Sequence, residues 1–183
     1  MYNKMNAKEK VLGQLCEDSY REYHIRLLAK LTKLSPNTII TVTDELQKEK
    51  IVTKERDEQT HKVSVKADTQ NRLFLMHKKF YNLRKIYDSG LVDHLQKELS
   101  FPTIVLFGSY AKAENRLGSD VDLFIISDVK KKVDVSGFEK DLGSEIQFFL
   151  HSQKEFKELT KRNKELINNV LNGYVLAGYL EAL

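Results

Sequence analysis

Two short clusters carry residue types that could do chemistry together. Gly108-Ser109 is followed by ten residues and then by Asp120-Val121-Asp122. Residues two apart on an extended strand share a face, so the carboxylates of Asp120 and Asp122 are expected to converge. Such a pair suits Mg2+ or Mn2+, hard cations that accept carboxylate oxygens together with phosphate oxygens. Gly108 has no side chain, so a phosphate can approach its backbone closely. Ser109 is expected at a helix start, where free N–H groups and the helix dipole favour an anion. Taken singly, the aspartates could open a strand and the serine could cap a helix. Those ordinary roles explain each residue but not the set.

The elements that must position these residues are legible around them. Thr103–Phe107 is an unbroken apolar run, suited to a strand buried on both faces. Asp122–Ile126 and Glu145–Leu150 read as further strands, with Tyr174–Ala177 a short last one. A helix is expected from Tyr110, others over Phe138–Leu142, Ser152–Thr160 and Glu165–Asn172. Lys130–Lys132 reads as a solvated loop.

The Gly-Ser, ten residues, Asp-x-Asp pattern, with a buried strand before it and an apolar strand after it, resembles the signature of the DNA polymerase beta superfamily. Its minimal nucleotidyltransferase branch is the best match, over roughly residues 101–178. The resemblance implies ATP or another NTP as substrate, with two metal ions bridging the triphosphate and the attacking hydroxyl. It makes Asp120 and Asp122 the catalytic metal ligands and gives Gly108 and Ser109 the β,γ-phosphates. Lys112 falls where relatives often carry Arg, and a lysine there could neutralise phosphate charge or simply face solvent. Two positions depart from the pattern. The third carboxylate of the family falls on Gln147, which cannot act as a base. Glu145, two residues earlier on the same strand face, is the candidate to replace it as a metal ligand. Ala113 stands where relatives often have Gly.

The first half of the chain has a different character. Residues 1–100 hold 19 Lys+Arg against 14 Asp+Glu, and residues 101–183 hold 11 against 12. Helices are expected over residues 5–17, 22–32 and from Pro36 to about Glu49, the last capped by Ser35. Two strands follow, Ile51–Lys54 and His61–Val65, joined by the polar loop Glu55–Thr60. This order, and the stretch Leu34–Val52, resembles the winged helix-turn-helix of MarR- and ArsR-like regulators. The resemblance buries Leu34, Ile39, Leu46 and Ile51 and turns Pro36, Asn37, Ile40, Thr41 and Asp44 outward. Asn37, Thr41 and Lys48 are then the DNA-binding candidates on the recognition helix, with Arg56, His61 and Lys62 in the wing. The outward face lacks Arg and includes Ile40, Asp44 and Glu45, so a protein-contact role stands beside the DNA-binding one.

A long helix is expected over residues 68–88, capped by Asp68 and ending near Gly90. Leu73, Met76, Phe80, Leu83 and Tyr87 follow 3-4-3-4 spacing, a heptad seam. It would build a homodimer or pack on the chain's own second domain. A second amphipathic helix, Leu91–Leu99, completes the arm.

Composition excludes several classes. The single cysteine, Cys16, cannot form an intrachain disulfide. No apolar run approaches the roughly 20 residues that span a bilayer, and the start MYNKMNAKEK lacks a signal-peptide stretch, so a cytoplasmic protein without membrane contact is expected. The histidines are dispersed and form no metal-binding pair. The fold expected is α+β: a winged helix-turn-helix over 1–67, a helical linker or dimerisation arm over 68–100, and a small mixed-sheet α/β nucleotidyltransferase-like domain over 101–183. Two functions stand side by side. One is Mg2+-dependent transfer of NMP from an NTP to a hydroxyl on a protein, an RNA end or a small molecule. The other is a transcriptional regulator, bound to double-stranded DNA, whose transferase domain only senses a nucleotide.

Overall fold

Helix α1, Ala7–Glu17, begins where Asn6 and Glu9 cap each other's backbone N–H groups at 2.8–2.9 Å. This computed structural model describes residues 5–181; Met1–Lys4, within the start read as lacking a leader, lie outside the described residues. The chain divides into two compact units, Met1–Tyr81 and Asn82–Leu183.

In the first unit, β1 (Tyr23–His24), α2 (Ile25–Thr32), α3 (Pro36–Lys48), β2 (Val52–Arg56) and β3 (Val63–Ala67) follow α1. The strands form an antiparallel sheet in the order β1-β3-β2. Residues 22–32 are therefore not one helix. Tyr23 is extended opposite Val65. Its ring is fully buried and its hydroxyl donates to Gln14 O at 3.2 Å, an anchorage that outweighs local helix preference. Ser35 caps α3 as expected, its Oγ accepting from Thr38 N at 3.1 Å. Ile39, Leu46 and Ile51 are fully buried with Leu15, Leu28, Val65 and Phe74, and Leu34 packs partly against them.

Helix α4, Arg72–Asp88, starts later than expected. Asp68 spends its carboxylate on a turn, accepting from Gln70 N, while Asn71 Oδ1 accepts from Leu73 N at 2.8 Å and Phe74 N at 3.2 Å and caps the helix. The buried stripe is also different. Phe74, Lys78, Asn82 and Ile86, four apart, turn inward, whereas Leu73, Met76, Phe80 and Tyr87 are exposed, Phe80 by 63%. The 3-4 spacing marks one face of the helix whose two ends differ: Leu73, Met76 and Phe80 are exposed, whereas Leu83 packs against the second core and the Tyr87 hydroxyl donates to Leu176 O at 2.8 Å. The division between the units falls inside α4 rather than at Pro102. Phe74 enters the first core, and Ile86 enters the second.

The second unit continues with α5 (Leu91–Glu98), β4 (Thr103–Phe107), α6 (Gly108–Lys112), β5 (Val121–Ile126), α7 (Ser136–Leu142), β6 (Ile146–His151), α8 (Gln153–Arg162), α9 (Lys164–Leu171) and β7 (Tyr174–Ala177). The sheet order is β6-β5-β4-β7, with β5 and β6 parallel and β4 antiparallel to both its neighbours. Helix α5 is no free arm: Leu91, Val92, Leu95 and Leu99 pack with Ile104, Leu123 and Ile125 on one sheet face. On the other face Val105, Phe107, Phe124 and Ile126 meet Phe156, Ile167 and Val170. That double cover explains why β4 and β5 read as continuous apolar runs. In the loop at 130–132, Lys130 pairs with Glu155 and Lys131 with Glu98. Among the described residues no helix is long and apolar enough to cross a membrane.

Candidate functional site

The ends of β4 and β5 bring the chemical residues together. Phe107, the last residue of β4, is in register with Asp122. The residue that follows it, Gly108, has φ +69°, a left-handed conformation that favours glycine. A β-carbon there would lie 2.1 Å from Asp122 Oδ2. Glycine is thus favoured twice, by its backbone and by the carboxylate beside it. Helix α6 has only five residues, so its dipole adds less than the Ser109 expectation supposed. Lys112 ends α6 and is exposed. Ala113 caps it with φ +61°, the conformation for which glycine is preferred. Its buried methyl offsets part of the strain of roughly 1–2 kcal/mol that this conformation costs an L-residue.

Asp120 and Asp122 are both half-buried. Burial pushes the Asp122 carboxyl above the ordinary aspartate range, and the neighbouring Asp120 charge raises it further. On the adjacent parallel strand Gln147 is the register partner of Asp122. Its Nε2 donates to Asp120 Oδ2 at 2.6 Å. Gln147 therefore touches one member of the carboxylate pair, Asp120, directly. Glu145 precedes β6, is exposed, and accepts from Val121 N through its backbone oxygen at 2.8 Å. Among the described residues no group of three or more His, Cys, Asp or Glu is placed to share a metal, so Glu145 does not join the two aspartates.

The donor set tests what the site can hold. Two carboxylates beside a glycine with no side chain fit one hard divalent cation whose remaining ligands are phosphate oxygens. Burial first and the Asp120 charge second disfavour the ionised form of Asp122, and a bound cation would favour it. The residues do not supply the third carboxylate that a second cation would use.

Four buried polar residues near this site escaped the sequence reading. Asn82, Tyr110, Asn115 and Ser144 form a connected set. The one available signal was the four-residue spacing of Phe74, Lys78, Asn82 and Ile86, hidden by the stronger heptad pattern beside it.

The DNA-contact candidates lie elsewhere, in the first unit. Asn37, Thr41 and Lys48 are exposed along α3, and their spacing puts them on one side. Ile40 and Asp44 are exposed as expected, but Asp44 is ion-paired with Lys54 of β2, so its charge is compensated. Arg56 and Lys62 are exposed and flank a loop shaped by Asp57 Oδ1, which accepts from Gln59 N at 3.0 Å and Thr60 N at 2.6 Å.

Residues 90–179 match the family model described as Polymerase beta, Nucleotidyltransferase. The match spans α5 to β7 and includes the turn at Gly108, both aspartates and Gln147. It supports a nucleotidyltransferase-like function for this part of the chain. Comparison with curated proteins gave no significant match.

Proposed function

We propose that the second unit binds a nucleoside triphosphate and transfers its nucleoside monophosphate to a hydroxyl acceptor. The observation that carries this reading is the Gly108–Asp122 approach: a glycine whose place a larger residue could take only by displacing one member of a carboxylate pair. Asp120 and Asp122 hold the divalent cation, Mg2+ or Mn2+. When bound, the cation neutralises triphosphate charge and eases departure of pyrophosphate. The Gly108–Ser109 backbone receives the outer phosphates, and Lys112 adds a positive charge beside them. The acceptor oxygen forms the new bond to the α-phosphorus, the α–β bridge breaks, pyrophosphate leaves and the hydroxyl proton passes to water. Glu145 is left out of the cation's ligands, because among the described residues it is not grouped with the two aspartates.

The first unit is read as a winged helix that brings the chain to double-stranded DNA through Asn37, Thr41, Lys48, Arg56 and Lys62. Compensation of Asp44 by Lys54 favours this over a purely protein-contact role. The exposed face of Leu73, Met76 and Phe80 supports a homodimer.

A second reading is favoured by one observation. Gln147, where the resemblance places the family's third carboxylate, hydrogen-bonds Asp120 and cannot act as a base. The domain would then bind nucleotide and report it to a DNA-bound regulator without transferring it.

The deciding experiment incubates the full chain with each α-phosphate-labelled NTP, Mg2+ or Mn2+, and host lysate, beside an Asp120→Ala/Asp122→Ala variant. Label on an acceptor with wild type alone supports transfer. Metal-dependent NTP binding without label supports the sensor. Absence of NTP binding overturns both.

A further inference from the structure

The segment from Gly108 to Asp120 carries the residues assigned to phosphate and the first carboxylate, yet only its first five residues are helical. The remainder, from Glu114 to Gly118, is exposed apart from Asn115, which is 5% exposed. Within itself the loop is tied by Glu114 N donating to Ser109 O at 2.9 Å, Arg116 N to Ser119 Oγ at 2.9 Å and Ser119 N to Arg116 O at 3.0 Å.

Asn82, on α4 and 1% exposed, reaches it. Its Nδ2 donates to Tyr110 O and to Asn115 Oδ1, each at 2.9 Å. A side-chain amide has two N–H donors, so one is spent on α6 and the other on the loop beyond it. Both acceptors are oxygens, which fixes which end of the Asn82 amide faces them. Tyr110 is held a second time: its hydroxyl pairs with Ser144 Oγ at 2.8 Å, again buried. Ser144 lies just before β6, the strand of Gln147.

The two aspartates are held by other means. Asp122 sits in register between Phe107 and Gln147. Asp120 is tied by Gln147, and the next residue, Val121, donates to Glu145 O. The carboxylate pair therefore has supports of its own, beyond its contact with Gly108.

We propose that Asn82 is a positioning residue for the phosphate side of the site: its paired hydrogen bonds to Tyr110 and Asn115 hold the Gly108–Ser109 turn and the following loop in the arrangement that receives a triphosphate. This deepens the nucleotide-binding reading above and rests on it. Removing the amide takes one donor from Asn115 Oδ1 and the shorter of two from Tyr110 O, which keeps Ala113 N at 3.3 Å; this loosens the loop, while the carboxylate pair keeps its own supports.

The test uses the full chain and the variants Asn82→Ala and Asn115→Ala, with Mn2+ alone and Mn2+ plus ATP as probes. Backbone hydrogen exchange is measured without ligand. Both variants should exchange faster over 110–120 than wild type, lose about tenfold in ATP affinity, and keep Mn2+ affinity within about twofold. A merely structural role would lower both affinities together and spread the faster exchange over the whole unit, and that result overturns the proposal. So does unchanged exchange over 110–120. If Asn82→Ala does not fold, Asn115→Ala, which cuts the same bond from the loop side, decides. If wild type binds no ATP, the nucleotide reading fails, and the exchange data alone then decide whether Asn82 holds the loop.

Discussion

Gln147 donates a 2.6 Å hydrogen bond to Asp120 while standing in register with Asp122. One neutral side chain thus touches one member of the carboxylate pair from the strand position opposite the other. An acid there would complete a three-carboxylate group; the amide instead satisfies one carboxylate oxygen. Gln147→Glu exchanges that hydrogen bond for a third negative charge. The variant is expected to bind Mn2+ more tightly, by roughly tenfold if the new charge gains about 1.4 kcal/mol with the cation. It should also be less stable than wild type in EDTA, because three like charges repel without a cation. Mn2+ titration followed by magnetic resonance, and melting with and without EDTA, check both signs.

Gly108→Ala tests the contact on the other side of Asp122. The added carbon would overlap the carboxylate and would also sit in a left-handed backbone. Strain of about 1–3 kcal/mol is expected, visible as a lower Tm. Mn2+ affinity should fall with it, because Asp122 must move. A variant that binds Mn2+ like wild type would contradict the geometry described here.

The raised Asp122 carboxyl gives a pH signature. Burial and Asp120 lift it above its unfolded value, so between the two values the folded chain binds more protons than the unfolded one. Stability in EDTA therefore falls as pH rises through that window, and the penalty persists above it. Asp122→Asn removes the penalty and should raise Tm at neutral pH while abolishing Mn2+ binding. Melting curves from pH 4 upward, on about half-unit steps, would show whether the two proteins converge at the acidic end.

Lys78 offers the opposite slope in the first unit. Its amine is 1% exposed, donates to Ser19 Oγ at 2.7 Å and lies over the Tyr20 ring. Burial lowers its pKa, opposed by Cys16, Asp18 and Glu17. The unfolded chain then binds more protons in the window between the lowered value and the ordinary lysine value, so this contribution to stability rises with pH there and is lost as pH falls through the folded value. Lys78→Met keeps the chain length and removes the charge. It should flatten the alkaline part of the stability profile, measured by urea unfolding from neutral pH to about pH 10.

For the first unit, Arg56→Ala and Lys62→Ala are expected to weaken binding to double-stranded DNA evenly across sequences. Each should reduce the salt slope by about one. Asn37→Ala should instead relax preference at particular base pairs. Fluorescence anisotropy at several salt concentrations separates the two patterns, and equal affinity of all variants would remove the DNA contact from these positions.

The element boundaries of the second unit were readable because burial on both faces leaves continuous apolar runs, as in Thr103–Phe107. Gly108 and the Asp120/Asp122 pair were readable as candidates because glycine and paired aspartates at this spacing are types that few other needs explain; that Gly108 abuts Asp122 was not. The cap at Ser35 was equally plain, since its side chain acts within one turn. Tyr23 was not: its two-residue strand exists only because a hairpin forty residues later offers Val65 as partner. Local sequence thus determined most elements, the capping at Ser35 and the identity of the carboxylate pair. Only the tertiary structure decided which stripe of α4 is buried, whether Glu145 or Gln147 meets Asp120, and that Asn82 holds the loop from Tyr110 to Asn115. Those outcomes depend on contacts between residues far apart in the chain, and no periodicity within a single element can encode them.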